Sequence, residues 1–150
     1  MTELPELPVT FRPTRTRAVL LTVGVLQGSV LVVIALLLPS ATTAPGERVS
    51  FIVTGLLFFG VLLLLSRPRV TADEKGVTVV NLTTTRRLEW AEVLAVRLRA
   101  GDPWVALDLA DGTSLPAMGI QPGIAKQQAI DDAAALRALA LEHGTGDPVR

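Results

Sequence analysis

Two stretches of this chain carry no charge at all. Residues 18–38 read AVLLTVGVLQGSVLVVIALLL and residues 49–66 read VSFIVTGLLFFGVLLLLS. A helix that crosses a bilayer needs about 20 apolar residues, with a range of about 17–25. The first stretch fits well, and the second is at the short end. Both are expected to be membrane-spanning helices. The segment between them, PSATTAPGER, holds two prolines and a glycine, which stop both helices and leave a short connection. An antiparallel hairpin over 18–66 follows. Arg12, Arg15 and Arg17 precede it, Arg67 and Arg69 follow it, and the loop has Arg48 beside Glu47. The positive-inside rule then places both chain ends in the cytoplasm of a two-span protein of the cell membrane.

A cleaved signal peptide is the competing reading of the first stretch, with ATTA at 41–44 as the processing site. The apolar run is too long for that, because such cores span about 7–15 residues. Pro45 directly after the site is also unfavourable.

The hydrophobic fraction of 49% comes largely from these two stretches. The chain has no cysteine, which removes disulfides, thiolate nucleophiles and thiolate metal sites. Its formal net charge is zero, so no global field favours nucleic acid as a partner. Neither helix holds an ionisable residue, the usual marker of an ion or proton path. Gly24 and Gly28 stand four apart in GVLQG, with Gln27 beside them. They read equally as a helix-packing seam, within the hairpin or to a second copy, and as ordinary glycine usage in membrane helices.

After an N-terminal cytoplasmic tail (1–17) and the hairpin, residues 67–143 are expected to form a small domain, and 144–150 a disordered tail. Turn signals at DEKG (73–76), TT (83–84), AGDP (100–103) and ADG (110–112) separate short runs rich in Val, Leu and Thr. That spacing predicts an antiparallel meander. A four-residue loop at AGDP pairs Leu98 with Val105, Val96 with Leu107 and Leu94 with Leu109 on one apolar face. The opposite face receives Arg99 with Trp104, Arg97 with Ala106, and Ala95 with Asp108. At the next reversal, a two-residue loop would turn Leu115 outward, so an odd loop or bulge with Gly112 at positive φ is expected. From Gly123 onward the period becomes helical. Ala129, Ala133, Leu136 and Ala140 make one stripe, widened by Ile130 and Leu139, and Gly144 is the stop. Residues 1–10 are expected to fray.

Two features carry a resemblance. One is RRLEWAEV, where the chain leaves the sheet at Trp90 and returns at Val93. The other is GDPWVALDLADGTSLPAMGI followed by a helix. Together they resemble the bacterial pleckstrin-homology-like domains of actinobacterial membrane proteins, the low molecular weight protein antigen 6 family in particular, over about residues 67–140. The resemblance implies an α+β membrane protein: a transmembrane hairpin, then a curved antiparallel sheet or partly open barrel closed by a C-terminal helix. It does not by itself imply headgroup binding. The turn DEKG sets Lys75 against Asp73 and Glu74, so no specific phosphoinositide is expected.

No catalytic, cofactor-binding or metal-ligating residues are identified, and no cofactor is expected. Glu89 and Glu92 flank a strand end without a nearby histidine or nucleophile and read as a solvated pair beside a core Trp90. His143 and the acidic pair Asp131–Asp132 are read as complements to the dipole of the last helix. Residues 67–99 hold seven basic side chains against four acids, whereas residues 100–150 hold three against seven. Arg86, Arg87, Arg97, Arg99 and Trp104 are therefore the candidate surface contacts. Trp104 beside Arg99 reads as a cation–π cap worth about 0.5–1 kcal/mol, or as a contact to the membrane interface or a partner. The partners expected are the bilayer and a protein, another copy of the chain included. The leading reading is an interaction module that binds a protein or organises at the cytoplasmic face. A sensor of anionic lipid through the arginines is the alternative. An enzyme comes third, for want of a catalytic constellation.

Overall fold

The computed structural model describes residues 4–39 and 44–144. The stretch 41–44 weighed as a processing site, apart from Ala44, and the tail beyond Gly144 lie outside the described residues. In chain order the elements are β1 (Val9–Phe11), α1 (Thr14–Leu37), α2 (Pro45–Leu65), β2 (Arg69–Asp73), β3 (Gly76–Val80), β4 (Thr85–Glu89), a single 3-10 turn (Trp90–Glu92), β5 (Val93–Arg97), β6 (Val105–Leu109), β7 (Ser114–Ala117) and α3 (Lys126–His143). Residues 16–66 form one compact unit. The residues before and after them form the other.

In the helical unit, α1 and α2 are each long and apolar enough to cross a membrane. Both begin earlier than the charge-free stretches. Pro45 opens α2, where the missing N–H would have no intrahelical partner anyway. The two helices meet through glycines. A Cβ on Gly24 would stand 2.9 Å from Phe59 Cδ2, and one on Gly55 would stand 3.7 Å from Gly28 Cα. Gln27 is half-buried and makes no hydrogen bond among the described residues. An Arg48 Nη2 donates to the Leu38 carbonyl, one of the orphan acceptors at the end of α1. The remaining faces are uncovered: Leu36, Leu37 and Leu57 are 71%, 77% and 65% exposed.

The other unit holds two antiparallel sheets, ordered β1-β2-β3-β4 and β5-β6-β7, with α3 packed on β5. Their shared core includes Val70, Val77, Leu88, Trp90, Val105 and Leu107. The first correction concerns the expected fraying of residues 1–10, of which 1–3 lie outside the described residues. Val9–Phe11 does not fray; it pairs with Ala72, Thr71 and Val70 of β2, and Phe11 is buried. A three-residue strand carries too little pattern to announce itself, and its partner lies beyond the whole hairpin.

The second correction concerns β5. Val96–Leu107, Arg97–Ala106 and Ala95–Asp108 pair as expected, but the register shifts between Val93 and Ala95. Val93, not Leu94, faces Leu109, and Leu94 is turned out at 67% exposure. The 3-10 turn feeds Val93 into the core directly, and the shift absorbs the extra residue. The next reversal behaves as the pattern demands. Leu107 faces Leu115, Leu109 N–H donates to the Thr113 carbonyl, and Gly112 has φ 83°.

Asn81, buried at the end of β3, ties the two sheets together. Its Nδ2 donates to the Pro116 carbonyl at 2.8 Å, and its Oδ1 accepts from Met118 N–H at 3.1 Å. Gly119 completes the junction. A Cβ there would stand 2.5 Å from the Arg69 backbone, so only glycine lets the two segments approach.

On α3 the buried residues are Ala129, Ala133, Leu136 and Leu139. Ile130, expected to widen the stripe, is 42% exposed, and Ala140 is only partly buried. Leu139 continues the 129-133-136 line at helical spacing, whereas Ile130 lies a full 100° step from its neighbour Ala129. The helix stops at His143, and Gly144 N–H donates to the Ala140 carbonyl.

Candidate interaction surface

The candidate arginines do not share one sheet. Arg86 and Arg87 lie on β4 of the first sheet, and Arg97 lies on β5 of the second. Arg87 faces Thr78 across β3 and donates to its hydroxyl at 3.1 Å. It also makes a two-pronged contact with Asp73, with both N···O distances 2.9 Å. Asp73 meanwhile closes the DEKG turn by accepting the Lys75 and Gly76 N–H groups at 2.9 and 3.0 Å. The hydrogen bond from Arg87 and these backbone donors hold the Asp73 carboxyl below its usual range, and Asp73 in turn raises Arg87.

Arg97 pairs with Asp108 at 2.8 Å across the β5–β6 ladder, and Arg86 approaches Asp111 at 3.7 Å. Asp111 is held low chiefly by the Thr113 hydroxyl and backbone, with Arg86 a smaller contributor. Arg99 forms no ion pair among the described residues; its backbone N–H donates to Asp102 at 2.8 Å. Trp104 is half-buried, and the expected ring contact with Arg99 does not form among the described residues. Arg97, Arg99 and Trp104 do line one shallow cavity of about 150 Å³. The five candidates therefore resolve into a β4 pair and a separate group at the β5–β6 loop.

The other readings resolve locally. Glu89 and Glu92 are not simply a solvated pair. They form a capping box on the 3-10 turn, with Glu92 accepting Glu89 N–H at 2.7 Å. The turn delivers Trp90 to the core, 4% exposed, with its Nε1 donating to the Asp73 carbonyl. His143 stacks on Trp90 with ring centroids 5.5 Å apart, besides sitting at a helix end. Asp131 and Asp132 fall beyond the first turn of α3, where the dipole effect has faded. Asp131 accepts from Gln127 instead, and partial burial raises the Asp132 carboxyl.

Arg137 escaped the sequence reading. It donates through Nε and Nη2 to the Val96 carbonyl at 3.2 and 3.0 Å. Lys126, at the start of α3, was also passed over. Both are basic residues isolated in an acidic stretch, and that isolation was the available signal. Asn81, a polar residue closing an apolar strand, was the other.

Residues 67–139, which follow the two helices, match the family model of the bacterial PH domain. That stretch, a little under half of the chain, is similar to a bacterial PH domain. Similar proteins include uncharacterized protein Rv1417 of Mycobacterium tuberculosis (strain ATCC 25618 / H37Rv) and uncharacterized protein Mb1452 of Mycobacterium bovis. Each is 37% identical over 75 residues, covering 50% of this chain. The match spans about half of each relative, 49% of its length. No solved structure matches the chain.

Proposed function

We propose that the chain is a membrane-anchored, non-enzymatic interaction module whose PH-like domain binds a protein partner at the cytoplasmic face. The observation that carries this reading is the pairing of Arg86, Arg87 and Arg97 with Asp111, Asp73 and Asp108. Each pair has no net charge, and a neutral pair attracts an anionic bilayer weakly. A surface specialised for lipid would leave such arginines open. The pairing of β1 with β2 supports the anchoring, because it requires the segments before α1 and after α2 to share one side of the membrane. The arginines flanking the hairpin favour the cytoplasm for that side.

A second reading rests on Arg99, which has no ion pair and shares a cavity with Trp104. It is attraction to anionic lipid through that one corner. Photocrosslinkers at Leu94 and Trp104 in native membranes separate the two, at low and at high salt. Protein adducts that persist at high salt are expected. Lipid adducts that vanish as salt screens the charges would move the assignment to the second reading.

A further inference from the structure

A cavity of about 380 Å³ opens between the β5–β6 loop and α3. Leu98, Ile130 and Ala133 give it apolar walls, and Arg99, Lys126 and Arg137 bring positive charge to it. Its carboxylate is Asp102, which already accepts the Arg99 N–H. None of the three cations forms an ion pair among the described residues. This concentration is local, since the chain as a whole is neutral and residues 100–150 are acidic. A second cavity of about 180 Å³, walled in part by Leu94 and Leu141, meets the first at Arg137.

The two make one groove along β5, the end strand of its sheet. Arg137 is fixed at the middle of the groove by the Val96 carbonyl, and its Nη1 has no partner among the described residues. Leu94, Ile130 and Leu141 are 67%, 42% and 69% exposed. A single exposed leucine needs no explanation, but apolar side chains gathered along one groove mark a contact surface.

We propose that this groove binds an extended acidic segment of a partner protein. The proposal rests on the interaction-module reading and gives it a site and a partner chemistry. Carboxylates of the segment meet Arg99 and Lys126 at one end. Its apolar side chains cover Ile130, Leu94 and Leu141. A strand advances about 3.3 Å per residue, so an occupant lying beside Leu94 to Arg99 is about six residues long. A compact anion would fill the first cavity and leave the Leu94–Leu141 end uncovered, which favours the elongated occupant. Apolar contact along the groove would supply affinity, and the charges would supply selectivity.

The test pans a phage library of random octapeptides on the full chain held in nanodiscs of zwitterionic lipid, with empty nanodiscs subtracted. Peptides combining acidic and apolar residues are expected to enrich. Arg99→Glu with Lys126→Glu should weaken a selected peptide by about tenfold or more. Arg86→Glu, outside the groove, should change it by less than about twofold. Both groove residues are exposed, so the paired reversal should leave the thermal melt of the sheet unit in place. A melt that does collapse transfers the comparison to Lys126→Gln alone, with a loss of about threefold expected.

Failure to enrich acidic peptides, or a selected peptide indifferent to the reversals, overturns the groove. If protein adducts still form at Trp104 in native membranes, the interaction-module reading survives that failure. If those adducts are lipid alone, both fall together.

Discussion

Leu107 and Leu94 are the same amino acid on neighbouring strands with opposite fates. Leu107 is fully buried, and Leu94 is 67% exposed. Truncating Leu107 to Ala should cost about 2–5 kcal/mol, the range for a buried leucine. Leu94→Ala should stay within about 0.5 kcal/mol. Urea denaturation of the two variants checks this, and equal losses would mean that the register shift at Val93 is misplaced. Asp73 gives a second prediction, with a definite sign. Its folded-state carboxyl lies below the ordinary value of 3.8, chiefly through the hydrogen bond from Arg87. Above that value the carboxylate is ionised in folded and unfolded chains alike, and its stabilisation is complete. As pH falls below it, the unfolded chain takes up the proton first, and the contribution drains away until the folded group protonates too. Stability should therefore drop on acidification from about pH 4 downward, and Arg87→Gln should flatten that drop. Asp111 acts in the same direction through Thr113, so some slope should persist in the variant. Denaturation midpoints measured through this window decide it; an unchanged slope would assign the acid sensitivity elsewhere. Both residues show what a sequence conveys. Alternation placed Leu107 correctly because its neighbours repeat with period two. The Asp73–Arg87 contact spans three strands and is visible only once β2, β3 and β4 are in register.

At the scale of elements, local pattern carried most of the architecture. The charge-free runs gave α1 and α2, and turn residues gave the meander. The odd loop at Gly112 followed from one constraint, that Leu115 must face Leu107. RRLEWAEV disclosed the excursion at Trp90, although the capping box that holds it went unread because glutamate is an unusual N-cap. What stayed hidden was non-local. β1 is three residues long and its pairing partner follows two complete helices, so no window of sequence contains both. It also lies outside the stretch that matches the bacterial PH domain. This has a direct consequence for a fragment of residues 67–143, which lacks the strand that covers the outer edge of β2 and the Phe11 side chain buried beside Val70. A peptide of residues 4–12 added in trans should raise the melting temperature of that fragment, increasingly with peptide concentration. The same peptide with Phe11→Ala should do so much less, since truncating a buried phenylalanine costs about 3–5 kcal/mol. Calorimetry of the fragment with each peptide is the measurement. A fragment whose melting is indifferent to both peptides would show that β1 adds nothing to the fold.

For the whole molecule, the pairing of β1 with β2 becomes a statement about topology. Two strands in hydrogen-bonded register lie in the same aqueous compartment, and between Phe11 and Arg69 the chain contains α1 and α2. The number of crossings between the strands must then be even. If each helix crosses once, that condition is met, and the expectation to test is a hairpin with both ends on one side. The positive-inside rule gives the side to test: Arg12, Arg15, Arg17, Arg67 and Arg69 flank the hairpin, against Arg48 beside Glu47 in the connection. The connection should face outward and the sheet unit inward. The absence of native cysteine makes the test clean, because every label reports an introduced thiol. Ala44→Cys should react with a membrane-impermeant maleimide on intact cells. Glu142→Cys, exposed on the last turn of α3, should react only after permeabilisation. Labelling of both from outside would break the even-crossing argument. Labelling of Glu142→Cys alone would keep the even number and reverse the orientation, so the two steps of the inference fail separately.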